Sequence, residues 1–458
     1  MNPAKNTKAE SKSATTKAVA PKSAKSTTKT TALKASAPKV DSAKKSTAPK
    51  SISAPRTKPA SAKSTTKPTT PKSAPKAEST KQLHIDKEAL SSLALVQEGL
   101  LLPISKLADA ASLQSADPYL TPFTLNPAGK KNQEVLKRAK SGEKLDIVLD
   151  SKIVGSLHVK EVFGIDRHAR AMNLANADSG EEFERIYARL GDYGVCGDYR
   201  VDFPDISQAK ATLNAKIKAH KAKTITGIML DGQIFHRAHE KLIRDALGDS
   251  DLVVVFLLKP YTKSFISYEL QRRCLEFATK NFLLNERICI IPLDDTYLFM
   301  GTNKVLLRAI VAKNYGCTHF IVSQSTPNLS MFYDDHAPHS MLDNIKDIRA
   351  TIKGAYVYCN VCKMLVNHQT CPHGKHHHIS YDAESILEFF RTGLLPPAIL
   401  VRPRISAMIL AHLTPNRFKN LQKLYYDLIP SNEGILLHKS EEEFYTELMR
   451  LYQTTSLT

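Results

Sequence analysis

The sequence predicts an α/β protein built on a parallel, Rossmann-like sheet, with a mixed α+β domain before it and a helical region after it. Three observations point there. Short apolar runs rich in Val and Ile recur as TITGIML (224–230), DLVVVFLL (251–258), RICIIPL (287–293) and THFIVS (318–323), with the length and composition of buried strands. Helical patterns fill the intervals, over His236–Leu247, Phe265–Lys280 and Lys304–Asn314. Strands alternating with helices give a parallel sheet covered on both faces. Finally, composition separates the first 80 residues from everything after them.

Those first 80 residues hold 18 Lys+Arg against 3 Asp+Glu, a net of +15, which leaves only +4 of the chain's +19 for the remainder. They are almost entirely Lys, Ala, Ser, Thr and Pro, without one aromatic residue. Such a segment buries too little apolar surface to offset the entropy of ordering, so residues 1–82 are expected to be a disordered basic tail. Its lysines suit an anionic partner such as nucleic acid through phosphate neutralisation. They equally suit a solvated extension, and the lack of aromatics argues against base stacking by the tail.

Ordered sequence starts near Leu83. An apolar segment over 90–102 reads as a helix ending at Pro103, and DIVLD followed by SKIVGSLHVKEV alternates at strand spacing. Residues 83–220 are therefore expected to form a mixed domain with a small sheet or barrel, closed by an Ala- and Lys-rich helix over 206–223. Residues 221–354 carry the parallel sheet. Residues 355–458 contain a Cys/His cluster, helical sequence at Glu384–Arg391 and Ile405–Leu413, and an amphipathic extension marked by Leu421, Leu424, Tyr425 and Leu428.

No run approaches the ~20 apolar residues of a membrane span, and the N-terminus has neither the apolar core of a secretory signal nor, with Arg56 as its single arginine, an Arg-rich transit character. Seven cysteines, three clustered late, suit a reducing compartment. The cytoplasm is expected, and a homo-oligomer is allowed.

Ligands of parallel sheets bind beyond the carboxyl ends of the strands, at helix N-termini. The loops to inspect follow Leu230, Leu258, Leu293 and Ser323. Directly after the first comes His236-Arg237-Ala238-His239-Glu240. Histidines three apart share a helix face, and at a helix start their N–H donors can hold a triphosphate and stabilise charge on its α-phosphate. The same spacing also serves as a helix cap or a solvated surface.

The segment HRAHE, together with Lys313-Asn314-Tyr315-Gly316-Cys317-Thr318-His319-Phe320-Ile321-Val322, Thr370-Cys371-Pro372-His373 and GLLPPAILVRP (393–403), resembles the ATP sulfurylase family in content and order. Weaker similarity lies at Leu95–Leu107 and Tyr199–Asp205. The resemblance implies a PUA-like, barrel-like N-terminal domain and a nucleotidyltransferase domain that transfers adenylate from ATP, accompanied by Mg2+, to sulfate with release of pyrophosphate. It assigns His236 and His239 catalytic roles and Gln233, His236, His239 and Val322 to the nucleotide.

The departures from the family pattern are specific. Gln-Thr-Arg-Asn of the family falls on Leu230, Asp231, Gly232 and Gln233. Its Gly-Arg-Asp-His-Ala-Gly loop becomes Ser323-Gln324-Ser325-Thr326-Pro327-Asn328. Met-Arg-Tyr-Ala-Gly becomes Tyr297-Leu298-Phe299-Met300-Gly301, and Ser-Gly-Thr becomes Ser380-Tyr381-Asp382. Three arginines are thus replaced where a dianion must sit beside a triphosphate. Gln233, Gln324, Lys259, Lys263 and Arg272 are candidate substitutes. These replacements keep two functions open, an adenylyltransferase with an altered acceptor and a nucleotide-binding regulator or scaffold.

Cys359-x2-Cys362-x8-Cys371 followed by His373, His376, His377 and His378 supplies four ligands for a structural, tetrahedral zinc. The distance to Ser380 in the resembling family favours His376 as the fourth ligand, with His373 the alternative. Cys196, Cys274, Cys289 and Cys317 lie in apolar contexts and read as core. The stretch Gly434–Ser440 lacks the glycine before Lys439 that a phosphate-binding loop needs, which argues against a fused kinase domain.

Overall fold

The structure is a computed structural model that describes residues 81–114, 123–175, 178–230, 234–261, 264–295, 304–323, 345–417, 419–420, 423 and 440–455. Residues 1–80 of the basic tail, Gly232, Gln233, Lys263, Leu298, Gln324 and the stripe of Leu421, Leu424, Tyr425 and Leu428 lie outside the described residues, whereas Lys81 and Gln82, expected in the tail, belong to the first strand.

The first region runs β1 (Lys81–His84), α1 (Lys87–Gln97), α2 (Ala110–Gln114), β2 (Leu125–Pro127), α3 (Lys130–Arg138), β3 (Lys144–Leu149), β4 (Lys152–Gly164), α4 (Arg167–Ala175), α5 (Glu181–Tyr187) and β5 (Leu190–Val201). Its strands form a five-stranded mixed sheet, β1-β3-β4-β5-β2, in which only β1 and β3 run parallel. The long strands β4 and β5 stay in register except at a bulge between Val159 and Glu161, which bends the pair. Helix α6 (Pro204–His220) follows, with Pro204 at its first turn, where a missing N–H costs nothing.

The second sheet is the one the apolar runs announce. β6 (Ile225–Leu230), α7 (Arg237–Asp249), β7 (Leu252–Lys259), α8 (Tyr268–Phe282), β8 (Ile288–Asp294), α9 (Lys304–Asn314), β9 (His319–Ser323) and β10 (Arg349–Lys353) build a parallel sheet in the order β10-β9-β6-β7-β8. Every residue of β7 from Leu252 to Leu258 is at most 3% exposed, as expected for a strand covered on both faces. Leu252, Val254, Phe256 and Leu258 join the core shared with α9 and the N-terminal region. Val253, Val255 and Leu257 join the opposite core with α7, α8 and the C-terminal helices. The sequence RATIK of β10 gave no strand signal. It is a half-exposed edge strand whose register is set by pairing with β9.

From β6 the chain moves outward through β7 to β8, then returns to place β9 on the other side of β6. The reversal lies between β6 and β9, the position beyond whose strand ends sheets of this kind bind ligands.

The C-terminal region adds a small antiparallel sheet of β11 (Tyr356–Cys359), β12 (Met364–Asn367) and β13 (His378–Ser380), with β11 in the middle. Helices α10 (Ala383–Arg391), α11 (Pro403–Leu413) and α12 (Glu441–Thr455) follow. Phe444 and Tyr445 bury the apolar face of α12, and its Glu442 meets Arg273 of α8 and, at 3.0 Å, Arg404 of α11. No helix among the described residues is long and apolar enough to cross a membrane.

Phe256 is fully buried, with its ring 5.3 Å from that of Tyr315. Phe256→Ala is expected to cost about 3–5 kcal/mol of unfolding free energy in a denaturant titration. Leu284→Ala, at a 59% exposed position, should stay within ~0.5 kcal/mol of wild type.

Candidate functional site

The site is built where β6 hands over to α7. Ile234 and Phe235 are buried and draw the chain back against the sheet just before the helix. His236 has extended backbone (φ −126°, ψ 175°) and is the N-cap of α7. Its Nδ1 accepts the backbone N–H of His239 at 3.4 Å, satisfying one of the orphan donors of the first turn. A ring whose Nδ1 accepts carries its proton on Nε2. Burial, and then the neighbouring His239, hold the His236 imidazole well below its ordinary value, so at neutral pH it is an uncharged N–H donor at the positive end of a helix.

The two histidine rings stack, with centroids 3.7 Å apart and planes 13° from parallel. On its other neighbour, the His236 ring lies 5.2 Å from the ring of Tyr381, and Tyr381 Oη donates to the carbonyl of Ile399 at 2.6 Å. The histidine pair is thus a short column of rings, with capping as one of its duties. Val322, the other described nucleotide candidate, is the next-to-last residue of β9. Its side chain is buried in the core and its backbone is paired with Ile352 of β10.

The remaining residues of the HRAHE segment do structural work. Glu240 is 4% exposed and receives Arg402 through two contacts of 2.7 Å and Arg244 at 2.8 and 3.1 Å. The guanidinium of Arg402 lies 3.5 Å over the ring of Phe282. Burial alone would raise the Glu240 carboxyl, but the hydrogen bonds from Arg402 and Arg244 outweigh it and hold the group below its ordinary value. Arg237 donates its backbone N–H to Leu400 at 2.9 Å and its Nε to the carbonyl of Ala398 at 3.2 Å. Helix α7 is therefore clamped to residues 398–402, a pairing 162 positions apart that no local spacing reveals.

Lys259 and Arg272, considered as replacement cations, line a separate cavity of about 1050 Å³ at the carboxyl ends of β7 and β8. Each has an acidic neighbour there. Lys259 Nζ lies 3.4 Å from Asp205, and Arg272 Nε donates to Glu276 at 2.7 Å. The lining of that cavity includes neither His236 nor His239.

The Cys/His expectation meets a definite geometry. Cys359, Cys362, Cys371 and His373 place one ligand atom each within 4.8 Å of one another. His373 Nδ1 lies 3.5, 3.2 and 3.5 Å from the three sulfurs, and Cys362 and Cys371 are 3.9 Å apart. A tetrahedral ion with metal–sulfur bonds of ~2.3 Å and metal–nitrogen bonds of ~2.0 Å spaces its ligands roughly 3.5–3.8 Å apart. The donor set therefore fits such an ion without rearrangement. The fourth group is His373 and not His376. The 3-10 turn Lys375–His377 sends the His376 ring back over Gly374 and against His377, 4.0 Å between centroids. Beyond these four, His378 Nε2 lies 3.3 Å from Cys371 Sγ.

Comparison with known proteins places residues 204–412 in the family model described as ATP-sulfurylase. The chain is 25% identical over 351 residues to a sulfate adenylyltransferase of Carboxydothermus hydrogenoformans, covering 72% of this chain and 91% of the relative. It is 24% identical over 355 residues to that of Synechococcus elongatus, covering 72% and 88%. A solved structure described as a hexameric APS kinase from Thiobacillus denitrificans superposes with a TM-score of 0.55 at 17% identity. That match covers 74% of this chain and 64% of that one, and shows a shared fold.

The Glu240 clamp has a pH signature. Its folded-state acidity lies below the ordinary value of 4.5, so its stabilisation is fully present above that pH and is lost as pH falls through the depressed value. Glu240→Gln should cost on the order of 3 kcal/mol at neutral pH and lose less on acidification than wild type does. Parallel acid limbs in urea unfolding from pH 7 to 3 would contradict this.

Proposed function

We propose that the chain is a distant member of the ATP-sulfurylase family, and that it binds ATP, with Mg2+, beyond the carboxyl ends of β6 and β9 and transfers adenylate to sulfate or another small oxyanion acceptor. The observation that carries this reading is His236, an uncharged Nε2–H donor held by its own cap at the N-terminus of α7. A phosphate seated there would meet the helix dipole and the imidazoles of His236 and His239, since the first-turn N–H groups of Arg237 and His239 are already taken by Leu400 and His236. Gln233, in the connection from β6, is placed by sequence to assist.

In the reaction an acceptor oxygen attacks the α-phosphorus, the bond to the β-phosphate breaks, and pyrophosphate leaves with its electron pair. Charge builds on the α-phosphate oxygens, and His236 and His239 are the donors this chain retains for it. Gly232, Leu298 and Gln324 stand where the family has arginine. One lost oxyanion donor commonly slows such a step ~100- to 1,000-fold. These replacements favour a second reading, a nucleotide-binding regulator or scaffold without sulfate turnover, with the basic tail reaching an anionic partner.

Zinc is the metal this proposal assigns to Cys359, Cys362, Cys371 and His373. Three thiolates and one imidazole leave no open position, so the ion would cross-link its loops and take no part in adenylate transfer.

Sulfate-dependent exchange of pyrophosphate into ATP decides between the two functions. Exchange by the full chain, raised roughly tenfold or more by Gly232→Arg, supports the enzyme. No exchange in either protein, with ATP binding intact, leaves the regulator. Elemental analysis should find zinc in wild type and its loss in Cys359→Ser, and equal zinc in both would refute the site.

A further inference from the structure

We infer that Tyr381 is a positioning residue through which the Cys/His cluster sets the placement of His236. The cluster lies in the small sheet of β11, β12 and β13, which has almost no core of its own. Across residues 356–380 the buried apolar side chains are Val357, Cys359 and Cys371, while Val361 and Met364 are 49% and 58% exposed. A unit this small is not held by apolar burial and needs a cross-link. A metal held by the four ligands would supply one.

The chain from that cross-link to the histidine pair is short and continuous. Cys359, the last residue of β11, pairs directly with His378, the first of β13. The other side of His378 faces the cluster, with Nε2 3.3 Å from Cys371 Sγ. The N–H of Asn360 also donates to the carbonyl of His377 at 2.8 Å. The three residues of β13 then run straight to Tyr381, whose ring lies 5.2 Å from that of His236. Its hydroxyl is fixed on Ile399, between the carbonyls of Ala398 and Leu400 that hold Arg237. Among the described residues, His239 and Tyr381 are the rings stacked on or tilted against His236. The resembling family has glycine at this position, so the contact belongs to this chain. A second attachment, Tyr356 Oη to Asp245 Oδ2 at 2.6 Å, ties the small sheet to the far half of α7 and bears no contact to His236.

The inference rests on the proposed function only in treating His236 as a phosphate contact. It is tested without nucleotide, by following the His236 ring resonances through a pH titration and by amide exchange over 236–240, in the full chain with its metal in place. Tyr381→Gly should move the His236 titration up toward the ordinary imidazole range and speed exchange there about tenfold or more. Tyr381→Phe, which keeps the ring, should restore the titration, and Tyr356→Phe should leave both readouts at wild type. Stripping the metal with a chelator should reproduce the Tyr381→Gly change in wild type and add nothing to it in Tyr381→Gly.

An unmoved His236 in Tyr381→Gly overturns the inference. So does a chelator effect of equal size in both proteins, or a stripped protein that has also lost exchange protection in β7. If His236 responds as expected and ATP nonetheless fails to bind, the inference stands and the proposed nucleotide site falls.

Discussion

The buried carboxylate of Glu240 is the constraint on which the site depends. It sits at the first turn of α7, and a lone charge there would be strongly disfavoured. Arg402 reaches it with both arms of its guanidinium, and Arg244 adds a second pair of contacts. Because Arg402 precedes α11, the ion cluster fixes where the C-terminal helices join the sheet. It also fixes residues 398–402, which hold Arg237 on one side and receive Tyr381 on the other. Removing one member leaves uncompensated charge in the interface, so helix α7, the 398–402 segment and the ring column over His236 stand or fall together.

That arrangement decides what electrostatics the site can offer. His236 is neutral, since burial beside His239 disfavours the imidazolium. The dipole of the helix terminus and an uncharged Nε2–H are its contribution. The described cations nearby are committed elsewhere, with Arg237, Arg244 and Arg402 engaged by Glu240 and by backbone carbonyls. A triphosphate could be held by imidazole donors, the helix dipole and Mg2+. A dianionic acceptor brought against it needs further positive charge, and Gly232, Leu298 and Gln324 do not supply it. Binding and turnover therefore place different demands on this chain.

The parallel sheet was legible because β7 and nearly all of β6 are buried on both faces, and because β8 and β9 keep apolar runs although parts of them are half-exposed. Strand β10 was not, because RATIK lies at an edge and owes its conformation to its neighbour. HRAHE falls at the start of α7, yet its spacing could not say that His236 would cap the helix or that Glu240 would find Arg402 far along the sequence. Tyr381 carried no signal beyond being a tyrosine where the resembling segment has glycine. Which histidine joins the three cysteines turns on local geometry. Counting residues to Ser380 favoured His376, whereas the turn at Lys375–His377 folds that ring away and leaves His373 facing the sulfurs. Long-range ion pairs and local turn geometry are what a one-dimensional pattern omits.

The central claim is that the N-terminus of α7, with His236 as its neutral donor, is a nucleotide site. Calorimetric titration of Mg-ATP into the full chain and into His236→Ala tests it most directly. The account predicts binding by wild type and an affinity at least tenfold weaker in the variant, the loss of about 1.4 kcal/mol expected of one good donor. Equal affinity in the two proteins, or none in wild type, would contradict it.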